Sequence, residues 1–409
     1  MTILVHRLGA RRTFVTANPA NVEHILKTNF NNFPKGKPFT EILGDLLGCG
    51  IFNVDGELWS AQRKLASHEF STKSLREFIV KTLQGEVENR LIPVLEEAME
   101  NEKVLDLQDI LKRFAFDIVG KVSLGTDPFC LDLSKSLPPL FEAFDTASEI
   151  CAMRGTAPVY LIWKLKRVFN VGSEKKLKEA VQPRSRLAGQ SEEVTRDMVI
   201  SFIMAGRDTT SATMTWLFWL LSENKALEKM IIDEVELITN NGERPLDFEA
   251  LKEMVILKAC LWESMRLYPP VAWDSKHAAA DDVLPDGTRV RKGDRVTYIP
   301  YGMGRMEALW GKDCLEFKPD RWFNEPGSEK IVLKSVSPYK YPVFQAGPRV
   351  CLGKEMAFIQ MKYVVGTILR KFEIEPVCEK RPVFVPLLTA HMAGGLKVLV
   401  RRRAKMVSP

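Results

Sequence analysis

The chain has 409 residues, of which 45% are hydrophobic and 27% are charged, and its formal net charge is +6. This composition is typical of a globular protein with a sizeable core. The basic residues are spread along the chain without a Lys/Arg run interleaved with aromatic residues, which argues against a nucleic-acid-binding protein. No stretch approaches the roughly twenty apolar residues that a transmembrane helix requires.

The cysteines number seven and are widely scattered, at positions 49, 130, 151, 260, 314, 351 and 378. Their odd number and wide spacing resemble neither a zinc site nor a disulfide framework, so we expect a reducing compartment. The first six residues, MTILVH, are typical of a strand rather than of a signal peptide. We therefore expect that the chain starts inside its fold and that an upstream segment is missing.

Helical periodicity dominates the sequence from Trp59 onward. Ser74 and Glu77 have the spacing of a capping box at the start of an amphipathic helix, and Pro93 is expected to bend that helix. A second helix is predicted to begin near Asp106.

The stretch from about residue 195 to residue 222 is apolar on nearly all sides. As a helix it would be on the order of 40 Å long, enough to cross a domain through its centre. Further helices are predicted over about 223–239, 248–267 and 353–372, with short strands between them and a strand pair near Val398. The sequence therefore predicts one mainly α domain, residues 1–409, with a minor β-sheet region.

Residues 344–353, FQAGPRVCLG, place one cysteine in a turn before a predicted helix. Such a cysteine can ligate a haem iron as thiolate, and the helix that opens near Gly353 is expected to lower the pKa of the Cys351 thiol. Gly347 allows the sharp turn, Gly353 leaves room beside a flat macrocycle, Phe344 packs on the sulfur side, and Arg349 has the geometry to hold a propionate. A buried cysteine in an ordinary loop is the alternative, but these residue types at this spacing rarely coincide by chance.

The central helix carries the hexapeptide AGRDTT at residues 205–210. Small side chains at Ala205 and Gly206 would let a ligand approach the backbone, and Asp208 with Thr209 forms a plausible proton relay. Their side chains can also bond backbone carbonyls and distort the helix. The alternative is an ordinary crossing of two helices.

Two further pairs of polar residues stand out. Glu263 and Arg266 are three residues apart in an apolar helix, and with Arg321 they are expected to form a buried triad that fixes the cysteine loop. Trp59 and Arg63 share one face of an early helix, and both donate hydrogen bonds, which suits a haem propionate. A tryptophan with a stacked arginine is the alternative interpretation of the second pair.

These segments, in this order, resemble the cytochrome P-450 monooxygenases over most of the chain. Residues 50–56, 205–210 and 273–276 look most like the plant group that contains fatty-acid ω-hydroxylases and jasmonoyl-isoleucine hydroxylases. The resemblance implies a cytochrome P-450 fold with haem b between the central helix and the helix after Cys351. It implies NADPH as electron source through NADPH-cytochrome P-450 reductase, at the cytosolic face of the endoplasmic reticulum membrane, although the membrane anchor is absent here. The implied reaction inserts one atom of O2 into the terminal C–H bond of an acyl-type substrate, a fatty acid or jasmonoyl-amino acid conjugate.

The resemblance also implies which segments surround the substrate. They are Phe39 to Phe52, the helix face near Phe202 and Ala205, Val271 to Trp273, and Leu388 to Met392. No carboxylate anchor is identified: Lys276 and His277 are alternatives for the haem propionates, and His391 is interpreted as structural.

The chain departs from the resemblance near residues 181–195, where similar proteins have several more helical turns. Either the pocket is more open than usual or the sequence comes from a truncated gene. Two alternatives to a monooxygenase therefore stay open. One is a truncated haem-binding relative without turnover, and the other is a hydroperoxide isomerase or lyase, against which Asp208 and Thr209 argue because such an enzyme needs no proton relay.

Overall fold

The described part of the chain is mainly helical with four small sheets, in agreement with the mainly α class predicted from the sequence. The computed structural model describes residues 2–6, 11–70, 72–157, 159–181, 190–324, 332–377 and 380–403. In this part of the chain the α-helices are α1 (Pro19–Glu23), α2 (Lys37–Leu47), α3 (Gly56–Phe70), α4 (Lys73–Glu86), α5 (Ile92–Glu100), α6 (Leu107–Val119), α7 (Pro139–Thr156), α8 (Leu161–Phe169), α9 (Ser173–Val181), α10 (Gln190–Ser222), α11 (Lys225–Ile238), α12 (Phe248–Glu253), α13 (Val255–Leu267), α14 (Pro300–Met303), α15 (Glu307–Trp310) and α16 (Lys354–Lys371).

The strands are short, and two of their pairings, β2 with β7 and β3 with β11, join strands distant in sequence. They are β1 (Thr2–Val5), β2 (Thr13–Thr16), β3 (Leu105–Asp106), β4 (Asp274–His277), β5 (Asp282–Val283), β6 (Arg289–Val290), β7 (Arg295–Tyr298), β8 (Phe372–Pro376), β9 (Phe384–Val385), β10 (His391–Met392) and β11 (Lys397–Arg402). The largest sheet has the order β1-β2-β7-β4, with β2 parallel to β7 and the other pairs antiparallel. The strand predicted in the first six residues is therefore present.

The start of α4 differs from the prediction. The capping box of Ser74 and Glu77 is wrong, because the Thr72 hydroxyl caps the helix by accepting from the Leu75 backbone N–H at 3.3 Å. Thr72 has the extended backbone of an N-cap, and this places Ser74 inside the first turn. A wide π turn at Val87–Leu91 separates α4 from α5, which has Pro93 in its first turn, and the bend expected at Pro93 stays a prediction.

The central helix α10 runs through the main core over 33 residues. Its second half is buried on all sides, which explains why the sequence there shows no polar face. It packs on α6, α13 and α16. The hydroxyls of Thr209 and Thr210 donate to carbonyls one turn back in α10, as predicted; the helix is continuous across them, and the local distortion stays a prediction.

The helix predicted over residues 248–267 is two helices that are separated at Met254. The carboxylate of Glu234, on α11, accepts hydrogen bonds from the backbone N–H groups of Val255, Ile256 and Leu257 at 2.6, 2.6 and 2.9 Å. The Glu234 carboxylate, which belongs to another helix, accepts from the backbone N–H groups that have no partner within the first turn of α13. Because these donors are bonded, a separate helix begins after Met254.

Two helices frame the segment that the sequence predicts to be shortened. α9 ends at Val181, where its helical pattern also stops, and the description resumes with α10 at Gln190. Residues 182–189 lie outside the described residues. None of the described helices combines the length and the apolar character needed to cross a membrane.

Candidate active site

The cysteine loop is held in shape by its backbone. Gly347 has φ +64°, and a Cβ atom at this position would lie 2.0 Å from the Leu26 carbonyl oxygen, so no other residue fits without moving the chain. The Cys351 N–H donates to the Phe344 carbonyl at 2.8 Å and closes the loop. Gly353 is the residue before α16, which places the thiol at the N-terminal end of that helix.

The electrostatics around Cys351 correct one expectation. Burial raises the pKa of the thiol, although the Gly353 and Lys354 N–H groups and the charges of Arg63 and Lys354 act to lower it. The helix therefore acts in the predicted direction, but burial outweighs it. Cys351 also keeps solvent-accessible surface. An external group can therefore reach Cys351.

Phe70, at the end of α3, lies between the cysteine loop and the central helix. Its ring is 5.6 Å from the ring of Phe202 on α10, and its Cε1 atom would lie 3.8 Å from a Cβ atom at Gly353. The two elements predicted to enclose haem therefore flank the same place. Phe344 packs on Phe358 of α16, with ring centroids 5.5 Å apart. Its predicted contact with the sulfur stays a prediction.

The structure brings Arg349 onto Trp59, with the guanidinium carbon 4.4 Å from the ring centroid. Nη2 of Arg349 also donates to the Asp55 carboxylate at 2.7 Å and to the Val54 carbonyl at 3.0 Å. Arg63, one turn after Trp59, is near enough to Cys351 for the two charges to interact. Two arginines and the tryptophan thus converge beside the thiol, and their bonds to propionates stay a prediction.

A buried charge cluster behind the loop was not predicted from the sequence. The Asp274 carboxylate accepts from Lys276 Nζ at 2.5 Å, Lys35 Nζ at 3.0 Å, and Tyr298 and Gln345 at 3.0 Å each. Burial alone would raise the pKa of Asp274, but the two lysines outweigh it and hold that pKa well below its usual range. Gln345 ties this cluster to the cysteine loop.

Lys276 and His277 are both engaged within β4. The Lys276 side chain is 1% exposed and bound to Asp274. His277 Nδ1 lies 2.6 Å from the Lys35 carbonyl oxygen, and burial lowers the pKa of His277 to about 4. The imidazole is therefore neutral near pH 7, a weak partner for a propionate. The sequence signal for this cluster was a strand of four polar residues, DSKH, which is buried throughout.

The three residues of the predicted triad meet in the structure. Glu263 accepts from Arg266 Nε at 2.8 Å and Nη2 at 2.7 Å, and from Arg321 Nε at 2.8 Å. Trp322 Nε1 and the Lys318 N–H add bonds to the same carboxylate at 2.9 and 3.0 Å. Glu263 and Arg266 are fully buried. The sequence pattern predicted the ion pairs, but it did not predict the hydrogen bonds from the Trp322 indole and the Lys318 backbone N–H.

On α10, Asp208 is largely buried, and its Oδ1 atom makes no hydrogen bond among the described residues. Arg207 Nε is 3.5 Å from that oxygen, while Arg207 Nη2 donates to Asp145 of α7 at 2.7 Å. Burial raises the pKa of Asp208, and the charges of Arg207 and Lys112 oppose this. Burial therefore favours the protonated form of the Asp208 carboxyl relative to an exposed aspartate.

Thr209 donates to the Ala205 carbonyl at 2.6 Å. With its proton engaged there, the hydroxyl oxygen can accept a hydrogen bond from a ligand beside α10. The expectation for Gly206 is wrong: a Cβ atom there would lie 2.5 Å from Val119 Cγ2, so Gly206 serves the crossing of α10 with α6 rather than the approach of a ligand. Ala205 stays half-buried.

A cleft of about 320 Å³ collects residues from three of the predicted substrate segments, namely Phe39, Trp273 and Leu388. Its walls also include the aliphatic side chains of α2, and four of the five charged residues in its described lining are basic. The described lining residues are Arg11, Thr13, Lys37, Phe39, Glu41, Ile42, Leu43, Cys151, Ala152, Gly155, Tyr160, Lys164, Trp273, Ser275, His277, Arg295 and Leu388.

The residues around Cys351, namely Trp59, Arg63 and Arg349, fit haem b. A cysteine thiolate is one of the protein ligands that haem iron takes. Cys351, which is exposed, would supply that ligand. Trp59, Arg63 and Arg349 would supply hydrogen-bond donors for the two propionates, and the half-buried Ala205 leaves a small side chain on the facing helix.

Comparisons with known proteins agree with this site. The family model described as Cytochrome P450 matches residues 2–193 and 185–391. Cytochrome P450 94B3 of Arabidopsis thaliana is 64% identical and covers 100% of this chain and 86% of its own length. Cytochrome P450 94B1 of the same plant is 63% identical (98% and 84%), and cytochrome P450 94A1 of Vicia sativa is 45% identical (96% and 82%).

Among solved structures, the cytochrome P450DA heme domain superposes with a TM-score of 0.80 at 18% identity, covering 98% of this chain and 90% of its own. A second cytochrome P450, CYP102L1, gives a TM-score of 0.78 at 18% identity, covering 98% and 95%. At such low sequence identity, these two structures show the similarity of the fold alone. Together with the family match and the plant relatives, they lead to one conclusion: this chain belongs to the cytochrome P450 family and is a haem b-dependent monooxygenase that acts on a small molecule with O2 and a redox partner.

Proposed function

We propose that this enzyme hydroxylates the terminal carbon of an acyl substrate, a fatty acid or a jasmonoyl-amino acid conjugate. In the balanced reaction, the terminal methyl group, O2, NADPH and one proton give the primary alcohol, water and NADP⁺. One oxygen atom enters the C–H bond, and the other leaves as water with two electrons from NADPH.

The observation that carries this proposal is the cleft of about 320 Å³ that the predicted lining residues Phe39, Trp273 and Leu388 share. Apolar walls suit a hydrocarbon chain, and a basic lining suits the carboxylate at its other end. A substrate fixed by its carboxylate presents its terminal carbon to the reacting centre. Positioning of this kind favours the strong terminal C–H bond over weaker internal ones.

When bound, haem supplies the activation of O2 that no amino acid provides. Cys351 would ligate its iron, and Trp59, Arg63 and Arg349 would hold its propionates. Thr209 would offer its hydroxyl oxygen as a hydrogen-bond acceptor beside α10, because its own proton is bonded to the Ala205 carbonyl. Asp208, whose pKa is raised by burial, would deliver protons from the side of Arg207 and Asp145.

The proposed electron donor is NADPH-cytochrome P-450 reductase at the cytosolic face of the endoplasmic reticulum membrane. Basic residues near the cysteine loop suit an acidic donor protein. Lys64 of α3 is exposed, and Arg76 of α4 pairs with Glu355 of α16 at 3.0 Å, which brings α4 next to the helix after Cys351.

We also propose that the single domain is shortened between α9 and α10, near residues 181–195. The alignment with cytochrome P450 94B3 covers the whole chain and spans 438 positions, more than the chain has residues, so it includes positions that this chain lacks. A shorter roof would leave the pocket more open to water.

The test is incubation with the reductase, NADPH and a panel of fatty acids and jasmonoyl conjugates, followed by mass spectrometry to locate the added oxygen. We expect primary alcohols. Cys351→Ala is the matched control, because it should abolish both the product and the thiolate signature in the carbon monoxide difference spectrum. An unchanged spectrum in this variant would refute Cys351 as the ligand.

The two alternatives give different results in the same assay. A haem-binding relative without turnover would show the thiolate spectrum and no oxygenated product. A hydroperoxide isomerase or lyase would convert a fatty-acid hydroperoxide without NADPH or reductase. Either result would contradict terminal hydroxylation.

A further inference from the structure

The polar lining of the cleft described above is strongly unbalanced in charge. Among the described residues that line it, Glu41 is the one acid, against four cations, Arg11, Lys37, Lys164 and Arg295. An excess of positive charge in a half-enclosed, partly apolar space attracts anions and holds them more strongly than an open surface does.

Glu41, on α2, already shows how a carboxylate lies there. Its Oε2 atom is 3.2 Å from Lys164 Nζ on α8 and 3.5 Å from the hydroxyl of Tyr160, the residue before α8. One ammonium group and one phenol therefore converge on a single carboxylate oxygen. Both Lys164 and Glu41 remain partly exposed, with side chains 43% and 34% accessible, so an external carboxylate can reach the same donors.

The surroundings of Tyr160 strengthen this site. Burial and Glu41 raise the pKa of the phenol, and the charges of Arg11 and Arg295 act against that rise, so both arginines lie within electrostatic range of the hydroxyl. Arg295 is held in place, with Nε donating to Ser275 Oγ at 2.8 Å and the guanidinium carbon 5.2 Å from the Trp273 ring centroid. Tyr160 thus remains a neutral hydrogen-bond donor beside fixed cations.

We propose that Tyr160 and Lys164, supported by Arg11 and Arg295, form a subsite for the substrate's carboxylate, and that Glu41 occupies it until the substrate displaces it. The inference rests on the proposed function, since it identifies the acid group of an acyl substrate as the ligand. The exchange leaves Tyr160 and Lys164 with a carboxylate partner throughout, while the displaced Glu41, already 34% accessible, turns toward solvent and keeps its charge. The hydrocarbon chain then lies against Phe39 and the other apolar walls.

If Glu41 is displaced by the substrate, two variants that each remove one charge should change the affinity for a fatty acid in opposite directions. Glu41→Gln removes the internal competitor and is expected to tighten the binding of a fatty acid. Lys164→Gln removes a donor and is expected to weaken it, by about fivefold for one partly exposed charged contact. Neither variant should change the binding of the methyl ester by more than about twofold, because the ester carries no charge.

The experiment is isothermal titration calorimetry of the haem-loaded enzyme with lauric acid and with methyl laurate, below their aggregation concentrations. Wild type, Glu41→Gln, Lys164→Gln and Lys166→Gln are compared at low and high salt. Lys166 is the matched control, since it lies on the same helix but lines a different cleft. Supporting results are the opposite shifts for the acid alone, and their loss at high salt.

The subsite is refuted if Glu41→Gln weakens the binding of the acid, because Glu41 would then only hold α2 in place. It is also refuted if acid and ester respond equally, or if Lys166→Gln matches Lys164→Gln. These binding results do not depend on turnover. If the acid binds as expected but wild type gives no terminal alcohol, the proposed function fails while the carboxylate subsite stands.

Discussion

Replacing Glu263 by glutamine is expected to destabilise the protein strongly and to loosen the loop that carries Cys351. The carboxylate accepts five hydrogen bonds, from Arg266 twice, Arg321, Trp322 and the Lys318 backbone. Glutamine has nearly the same shape, but it lacks the negative charge and turns an NH2 group toward one set of donors. Arg266 would then remain fully buried without a counter-ion.

The magnitude follows from this burial. Removing one partner of a buried ion pair costs about 3–5 kcal/mol, because the other charge is left uncompensated. For a domain of about 400 residues, with an unfolding entropy of about 2.1 cal/mol/K per residue, this lowers the Tm by about 4–6 °C. Arg266 also donates to the carbonyls of Cys314 at 2.5 Å and Glu316 at 2.9 Å, so the segment that leads to the cysteine loop loses support as well.

The assay is thermal unfolding followed by circular dichroism, together with the rate of haem loss at a fixed temperature. Glu253→Gln is the control, because it removes an exposed ion pair with Arg244 at 3.0 Å that contributes less than about 1 kcal/mol. A Tm within 1 °C of wild type, with an unchanged rate of haem loss, would show that the triad does not hold the loop.

Three further variants test other parts of the site. Thr209→Ala is expected to lower the coupling of NADPH use to product formation by at least about tenfold, with release of hydrogen peroxide. Thr209→Ser keeps the hydroxyl and should keep most of the coupling. Equal coupling in the two variants would count against the proton relay. Gly347→Ala forces a Cβ atom to 2.0 Å from the Leu26 carbonyl oxygen, so we expect a loss of more than about 2 kcal/mol in urea unfolding, and a smaller loss would mean that the loop adapts freely. Burial lowers the pKa of His277 to about 4, so its contribution to stability is complete above pH 6.5 and is lost as the pH falls toward 4. The variant His277→Gln should therefore lose up to about 3 kcal/mol less stability than wild type over this pH range. An unchanged pH slope of the urea midpoint would contradict the assignment.

Much of the fold was predictable because its signals are local. The apolar run after residue 195 gave α10, Asp106 gave the start of α6, and the Glu263–Arg266 spacing gave a buried pair that the structure shows. In each case the side chains that decide the structure lie within one or two helical turns of one another. The cysteine loop belongs to the same class, since its geometry depends on a few consecutive residues.

The parts that sequence reasoning missed depend on residues far apart in the chain. The Asp274 cluster unites side chains from positions 35, 274, 276, 298 and 345, none of which predicts the others. Gly206 was assigned to a ligand because its contact with Val119 of α6 cannot be inferred from α10 alone. Thr72, rather than Ser74, caps α4 because it alone has the extended backbone of a cap, which the spacing of residues does not reveal.

Glu234 has a consequence for the order of folding. Because α13 takes its N-terminal cap from a carboxylate on α11, its first turn is stabilised only after the two helices have docked. The helix that carries Glu263 and Arg266 therefore nucleates poorly on its own and gains its stability together with its neighbour. We expect the two helices to form one cooperative unit, with α13 acquiring amide-exchange protection no earlier than α11 does.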